Sequence, residues 1–141
     1  MASRDEIVDQ IASFALFADL TTPQLERIAH MFEEEVHPEG ERVLRQGLSG
    51  SAFHVILDGE AAVIIDGNQR ATLSRGDFFG EMSVIDGLPR VAQVVTTEPT
   101  RCLALASWEF ERLVLDHPTI GLAILRGLSA RLRSRTEPPQ H

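Results

Sequence analysis

The chain has no lysine and a single cysteine, Cys102. One thiol excludes any intramolecular disulfide and any zinc cluster built on cysteines. Long apolar stretches are missing too. Runs such as Leu103–Ala106 and Leu122–Leu125 fall far short of the roughly 20 residues a membrane-spanning helix needs. The opening Met1-Ala2-Ser3-Arg4-Asp5-Glu6 lacks the basic-then-apolar layout of a secretory signal. A cytoplasmic protein with no membrane partner is therefore expected, and Met1 points to an intact start.

Positive charge is also scarce. The formal net charge is −8 over 141 residues, and its distribution is uneven. Residues 1–116 carry nine arginines against twenty carboxylates, a net of −11, whereas Arg126, Arg131, Arg133 and Arg135 against Glu137 leave residues 117–141 at +3. An acidic body is a poor platform for nucleic acid, which needs a basic surface. Any bound anion must be held by a local site. At 43% hydrophobic and 24% charged, the chain is otherwise an ordinary globular one. It is about one domain long and able to bury roughly two thirds of its unfolded surface.

Ile7, Val8, Ile11, Phe14 and Ala15 recur at helical spacing and share one face. Thr22-Pro23 opens a second helix, with threonine as the cap and proline in the first helical position. Its apolar side holds Leu25, Ile28, Ala29 and Phe32. Glu33–Glu35 reads as a solvated charge run. From about Val36 to Ala106 the period shortens to that of strands. Arg42–Arg45, Ala52–Leu57, Ala61–Ile65, Gln69–Leu73, Val91–Thr96 and Arg101–Leu105 are separated by turn signals at Pro38-Glu39-Gly40, Gly47–Gly50, Asp58-Gly59, Asp66-Gly67-Asn68 and Arg75-Gly76-Asp77. Asp66-Gly67 between apolar runs predicts a hairpin.

Such spacing predicts a sandwich or barrel, and a jelly roll suits a succession of short antiparallel strands. Helix returns at Ser107, read as a cap before an acidic first turn. It breaks at His117-Pro118 and resumes from Thr119 to about Arg135, with Pro138-Pro139 ending it. The expected organisation is an N-terminal helical segment (1–35), a β jelly roll (36–106), C-terminal helices (107–136) and a tail or linker start (137–141). The fold class is mainly β with flanking helices (α+β). Gly121, Leu125, Leu128 and Leu132 make a short seam on the last helix. It suits either a homodimer through paired helices or packing onto the strand body.

One segment breaks the pattern. Residues from Asp77 to Ala92 are too apolar for a solvent loop and too interrupted for a strand. Gly80 permits a positive φ or a close backbone approach. Glu81 to Ile85 suits one helical turn, whose free N–H groups are ready for an anion. Pro89 stiffens the chain before Arg90, whose planar fork of donors matches a phosphate. The plain alternative makes Gly80 a turn residue and Glu81 a surface acid paired with Arg90.

Phe79-Gly80-Glu81-Met82-Ser83, followed by Pro89-Arg90-Val91-Ala92, resembles the phosphate-binding cassette of cyclic nucleotide-binding domains. Those domains occur in the catabolite activator protein family and in regulatory subunits of cyclic-AMP-dependent kinase. Pro38-x-Gly40, Ile56-Leu57-x-Gly59 and Gly76-Asp77-Phe78 match smaller family features, and the likeness covers nearly the whole chain. The resemblance implies a double-stranded β-helix jelly-roll barrel with a cassette at 78–92. It further implies that Arg90 pairs with the cyclic phosphate and that Glu81 accepts a bond from the ribose 2′-hydroxyl. Gly80 would let the sugar sit against the main chain. Amides near Ser83 and Val91 would complete the cradle, with Met82 and Ala92 inside the same motif and Val63 and Ala71 lining the wall near the base. Arg131, Arg135 and Thr136 are candidates for a lid over the base, or simply an exposed helix end. Many relatives carry alanine, serine or threonine where this chain has Val91. A valine offers no side-chain donor to a guanine, which leans the ligand toward cyclic AMP over cyclic GMP.

No enzyme signature accompanies these residues. His30, His37, His54 and His117 are scattered without metal-ligand spacing, so neither a metal nor a cofactor is expected. His54 and Cys102 sit in predicted strands and read as core residues. No helix-turn-helix follows the last helix. The chain is then a stand-alone sensor or a piece cut at a linker, with a downstream effector elsewhere. The two remaining readings are a degenerate scaffold that binds no ligand and a small metal-dependent enzyme of the cupin type.

Overall fold

The structure is a computed structural model and describes residues 4–44, 52–80 and 92–136. Helix α1 (Arg4–Ile11) carries Asp5 and Glu6 in its first turn, where the helix dipole favours negative charge. It buries Ile7, Val8 and Ile11. The chain then turns through a single 3-10 turn, Ala15–Phe17, while Ala15 itself is exposed. Helix α2 (Thr22–Met31) begins one residue earlier than the sequence implied. Its cap is Thr21, whose hydroxyl accepts from the Gln24 amide while Gln24 Oε1 accepts from the Thr21 amide. That reciprocal pair satisfies two otherwise orphaned donors.

Eight strands follow among the described residues: β1 (Glu33–His37), β2 (Arg42–Leu44), β3 (Ala52–Asp58), β4 (Glu60–Ile65), β5 (Asn68–Ser74), β6 (Phe78–Phe79), β7 (Gln93–Thr96) and β8 (Thr100–Ala106). They form two four-stranded sheets in the orders β1-β8-β3-β6 and β2-β7-β4-β5, every pairing antiparallel. This is the jelly-roll barrel with flanking helices. The β4–β5 hairpin turns on Asp66 (φ 51°) and Gly67 (φ 79°), the two positive angles a tight two-residue turn demands. Between β3 and β4 the chain pivots at Gly59 (φ 108°).

β3 has an unbroken buried run, because both faces of its sheet are covered. Phe53, Val55 and Leu57 join Leu103 and Leu105 beneath the helices. On the other face, Ile56 and Cys102 meet Ala61, Leu73, Phe79 and Val94 between the two sheets. Burying side chains on both faces favours a continuous apolar run over strict alternation.

The acidic run Glu33–Glu35, expected as a solvated edge, is instead strand β1. Glu34 is held by Arg101, whose Nε lies 2.9 Å from Glu34 Oε1. That pairing lets the strand lie along β8 despite its charge.

Helix α3 (Ser107–Asp116) is also shifted relative to the expectation. Ser107 is its first helical residue, and the cap position is Ala106, with no side-chain bond. Helix α4 (Pro118–Thr136) follows directly after His117. Ile120 and Ile124 are buried, with Leu128 packed against the same core. Gly121 admits Val114, whose Cγ1 would lie 2.9 Å from an added Cβ. The expected four-residue seam is therefore split. Gly121 and Leu128 face the body, whereas Leu125 and Leu132 lie exposed in a row with Leu122. No helix among the described residues is long and apolar enough to cross a membrane.

Candidate ligand-binding site

Gly80 is delivered by the short strand β6, and that strand is anchored on both sides. Successive strand residues point to opposite faces. Phe78 enters the core under the helices and Phe79 the core between the sheets. The pair registers against β3 as Val55 with Phe78 and His54 with Phe79.

Upstream, a tight turn fixes the approach. Gly76 (φ 87°) donates to the Ile56 carbonyl at 2.8 Å, and the Ile56 amide donates to the Asp77 carbonyl at 2.9 Å. Asp77 Oδ2 accepts from the Ser74 amide at 2.8 Å. Gly80 itself has φ 86°, a left-handed conformation that a side chain disfavours. β6 was not legible as a strand in the sequence, and it is the element that positions this glycine.

On the second sheet, Val63 stands directly opposite both Ala71 and Val94. Cross-strand partners share a face, so the two wall residues expected from the sequence are neighbours. Val63 is half-buried and packs against the cluster containing Phe79, and Ala71 is exposed. Ala92 is half-buried just before β7. Glu81, Met82, Ser83, Arg90 and Val91 lie outside the described residues.

Arg131 is half-buried rather than an exposed end. Its Nη2 donates to the Phe78 carbonyl, and its guanidinium carbon lies 4.4 Å from the centroid of the Phe78 ring. Arg135 and Thr136 close the same helix, and their side chains lie outside the described residues.

A polar cluster that sequence reasoning missed sits beside Phe79. Glu35 Oε1 lies 3.0 Å from His37 Nε2 and 3.3 Å from His54 Nε2, and His37 Nδ1 lies 3.0 Å from Glu41 Oε2. The buried His54 ring stacks on Phe79 at 4.7 Å and 3°. The bond from His54 is the main reason the Glu35 carboxyl is pulled down to about 2. Partial burial opposes that shift, while the charge of His54 and the nearby His37 reinforce it. The hidden signal was β1 itself: once Glu33–His37 is a strand, Glu35 and His37 fall on one face.

Cys102 lies opposite Glu35 in the ladder. Burial, helped by the Glu35 charge, pushes its thiol up to about 12, so it is a packing residue and not a nucleophile. Among the described residues no group of three or more His, Cys, Asp or Glu is arranged to hold a metal ion.

The sequence matches the family described as Cyclic nucleotide-binding domain over residues 34–117. It is 34% identical over 107 residues to a cAMP-dependent protein kinase regulatory subunit of Yarrowia lipolytica, covering 72% of this chain and 28% of that protein. It is 31% identical over 127 residues to a cGMP-dependent protein kinase of Caenorhabditis briggsae, covering 85% of this chain and 17% of that one. The chain thus spans less than a third of either relative. Among solved structures, a cAMP-bound PKA regulatory subunit superposes with a TM-score of 0.84 at 22% identity, covering 93% of this chain and 45% of the other. The regulatory subunit of a cAMP-independent protein kinase A from Trypanosoma brucei gives 0.79 at 18% identity, covering 90% and 46%. At these identities the two superpositions establish the shared fold.

Proposed function

The chain belongs to the cyclic nucleotide-binding domain family, and from that premise we propose that it is a regulatory sensor for a cyclic nucleotide, with cyclic AMP as the ligand. The observation that carries the reading is Gly80. It takes a left-handed conformation (φ 86°) at the end of a strand anchored in both cores, and the motif Gly80-Glu81 with Pro89-Arg90 continues from it.

In this reading Arg90 pairs with the phosphate, Glu81 accepts from the ribose 2′-hydroxyl, and amides near Ser83 and Val91 complete the cradle. Val63 and Ala71 form the wall beside the base, and the end of α4, with Arg135 and Thr136, covers it. Val91 lacks the hydroxyl that would reward a guanine, which favours cyclic AMP even though relatives of both kinds align. The ligand is bound and released unchanged, with no catalytic step.

The output is the position of α4, read by a downstream effector such as a kinase catalytic unit in the cytoplasm. Nucleotide binding shifts that position only to the extent that it prefers one arrangement of the helix. The exposed row Leu122, Leu125 and Leu132 offers α4 a second copy of the chain as a partner. A degenerate scaffold that binds no ligand is the second reading; the same fold occurs in the regulatory subunit of a cAMP-independent protein kinase A.

Thermal melts separate the readings. A sensor gains about 2.7 kcal/mol at a ligand concentration of roughly 100 times Kd, whereas a scaffold shows no shift with cyclic AMP or cyclic GMP. A shift with a divalent metal alone would point instead to a cupin-type enzyme.

A further inference from the structure

We infer that Arg131 is a positioning residue that fixes β6, and with it Gly80, to helix α4, so that the helix and the entrance to the site move as one unit. The inference rests on the reading above that Gly80 opens the nucleotide site. One side chain grips a single residue twice: Arg131 Nη2 holds the Phe78 carbonyl, and the guanidinium lies over the Phe78 ring at 4.4 Å. A cation over an aromatic face gains most when partly desolvated, and Arg131 is half-buried.

The contact extends one turn back along the helix. Residues four apart lie on the same helical face, and a Cβ on Gly127 would stand 2.8 Å from both Cε1 and Cζ of Phe78. The ring therefore rests on bare helix backbone at Gly127, with Arg131 over it and Phe53 tilted against it at 5.8 Å. A glycine inside a helix is less favourable than alanine, and the close seat for Phe78 explains its presence.

Among the described residues β6 is the edge of its sheet, with β3 as its strand neighbour, and α4 adds a restraint at Phe78. Rotation or withdrawal of α4 must therefore pull on the Phe78 carbonyl or release it, two residues before Gly80.

Hydrogen exchange on the whole chain tests this, first without ligand. Arg131→Gln is expected to speed exchange of the Phe79 and Gly80 amides at least tenfold, together with those around Arg131, while the Val55 and Leu113 amides stay as in the wild type. Arg131→Lys, which keeps a cation and a donor, should recover much of the protection. Gly127→Ala should open the same amides by displacing the ring, and it serves as the test should Arg131→Gln not fold. Unchanged exchange at Phe79 and Gly80, or an equal rise at Val55 and Leu113, overturns the inference.

With saturating cyclic AMP, the wild type should change exchange along α4 and Arg131→Gln should not. A retained response in the variant also overturns it. If neither cyclic AMP nor cyclic GMP gives heat with the wild type, the proposed function fails, and the ligand-free comparison alone decides the role of Arg131.

Discussion

Replacing Glu35 by glutamine should remove a pH-dependent part of the fold's stability. In the folded protein the Glu35 carboxyl titrates near about 2, against an ordinary 4.5, chiefly because His54 bonds to it. Fully shielded from solvent, such a difference would hold about 3 kcal/mol. The Glu35 side chain keeps 39% exposure, and solvent screening reduces the effect to about 1–2 kcal/mol.

The sign follows from linkage: a depressed carboxylate stabilises the fold above its unfolded value and loses that contribution as pH falls toward its folded one. The full contribution is present above 4.5 and drains between 4.5 and about 2. Urea unfolding followed by circular dichroism would measure it. The wild type should exceed Glu35→Gln by about 1–2 kcal/mol near pH 6, and by less than half of that near about pH 3. A difference that stays constant across this range would refute the assignment, because an uncharged packing effect has no reason to titrate.

Gly59→Ala should destabilise by more than about 3 kcal/mol, at the top of the usual range for single substitutions. Its Cβ would lie 2.5 Å from Thr100 Oγ1 and 2.7 Å from the Pro99 carbonyl oxygen; a melting temperature near that of the wild type would contradict the clash. Gly80→Ala should cost about 1–2 kcal/mol through its left-handed backbone, measured by urea unfolding, and should weaken nucleotide binding by isothermal titration in parallel. Cys102, buried and with its thiol raised to about 12, should resist a thiol reagent at mildly alkaline pH and react once guanidinium unfolds the chain. Rapid labelling of the native protein would show that the position is accessible.

The parts of the fold legible in the sequence were those fixed by local chemistry. Asp66-Gly67 announces its hairpin because both residues tolerate positive φ, and the apolar run in β3 announces a strand covered on both faces. β1 was hidden because three successive glutamates look solvated. In the strand, Arg101 meets Glu34 and His54 meets Glu35 from other strands of the sheet, contacts far apart in sequence, and His37 adds a local one to Glu35. β6 was hidden because two residues show no period. The candidate site residues form a family motif in the sequence, and Val63 and Ala71 stand opposite each other in the β4–β5 ladder. The contact of Arg131 with Phe78 was not legible, since the two lie 53 residues apart and no spacing rule links them.

The most direct measurement is isothermal titration of the purified chain with cyclic AMP and cyclic GMP, repeated on Arg90→Ala. A charge-assisted bond contributes about 1.5–3 kcal/mol, and about 1.4 kcal/mol is tenfold in affinity. The wild type should therefore bind one nucleotide per chain, cyclic AMP more tightly, and Arg90→Ala should bind at least tenfold more weakly. No heat with either nucleotide at millimolar concentration, or equal affinity in Arg90→Ala, would contradict a sensor built on that arginine.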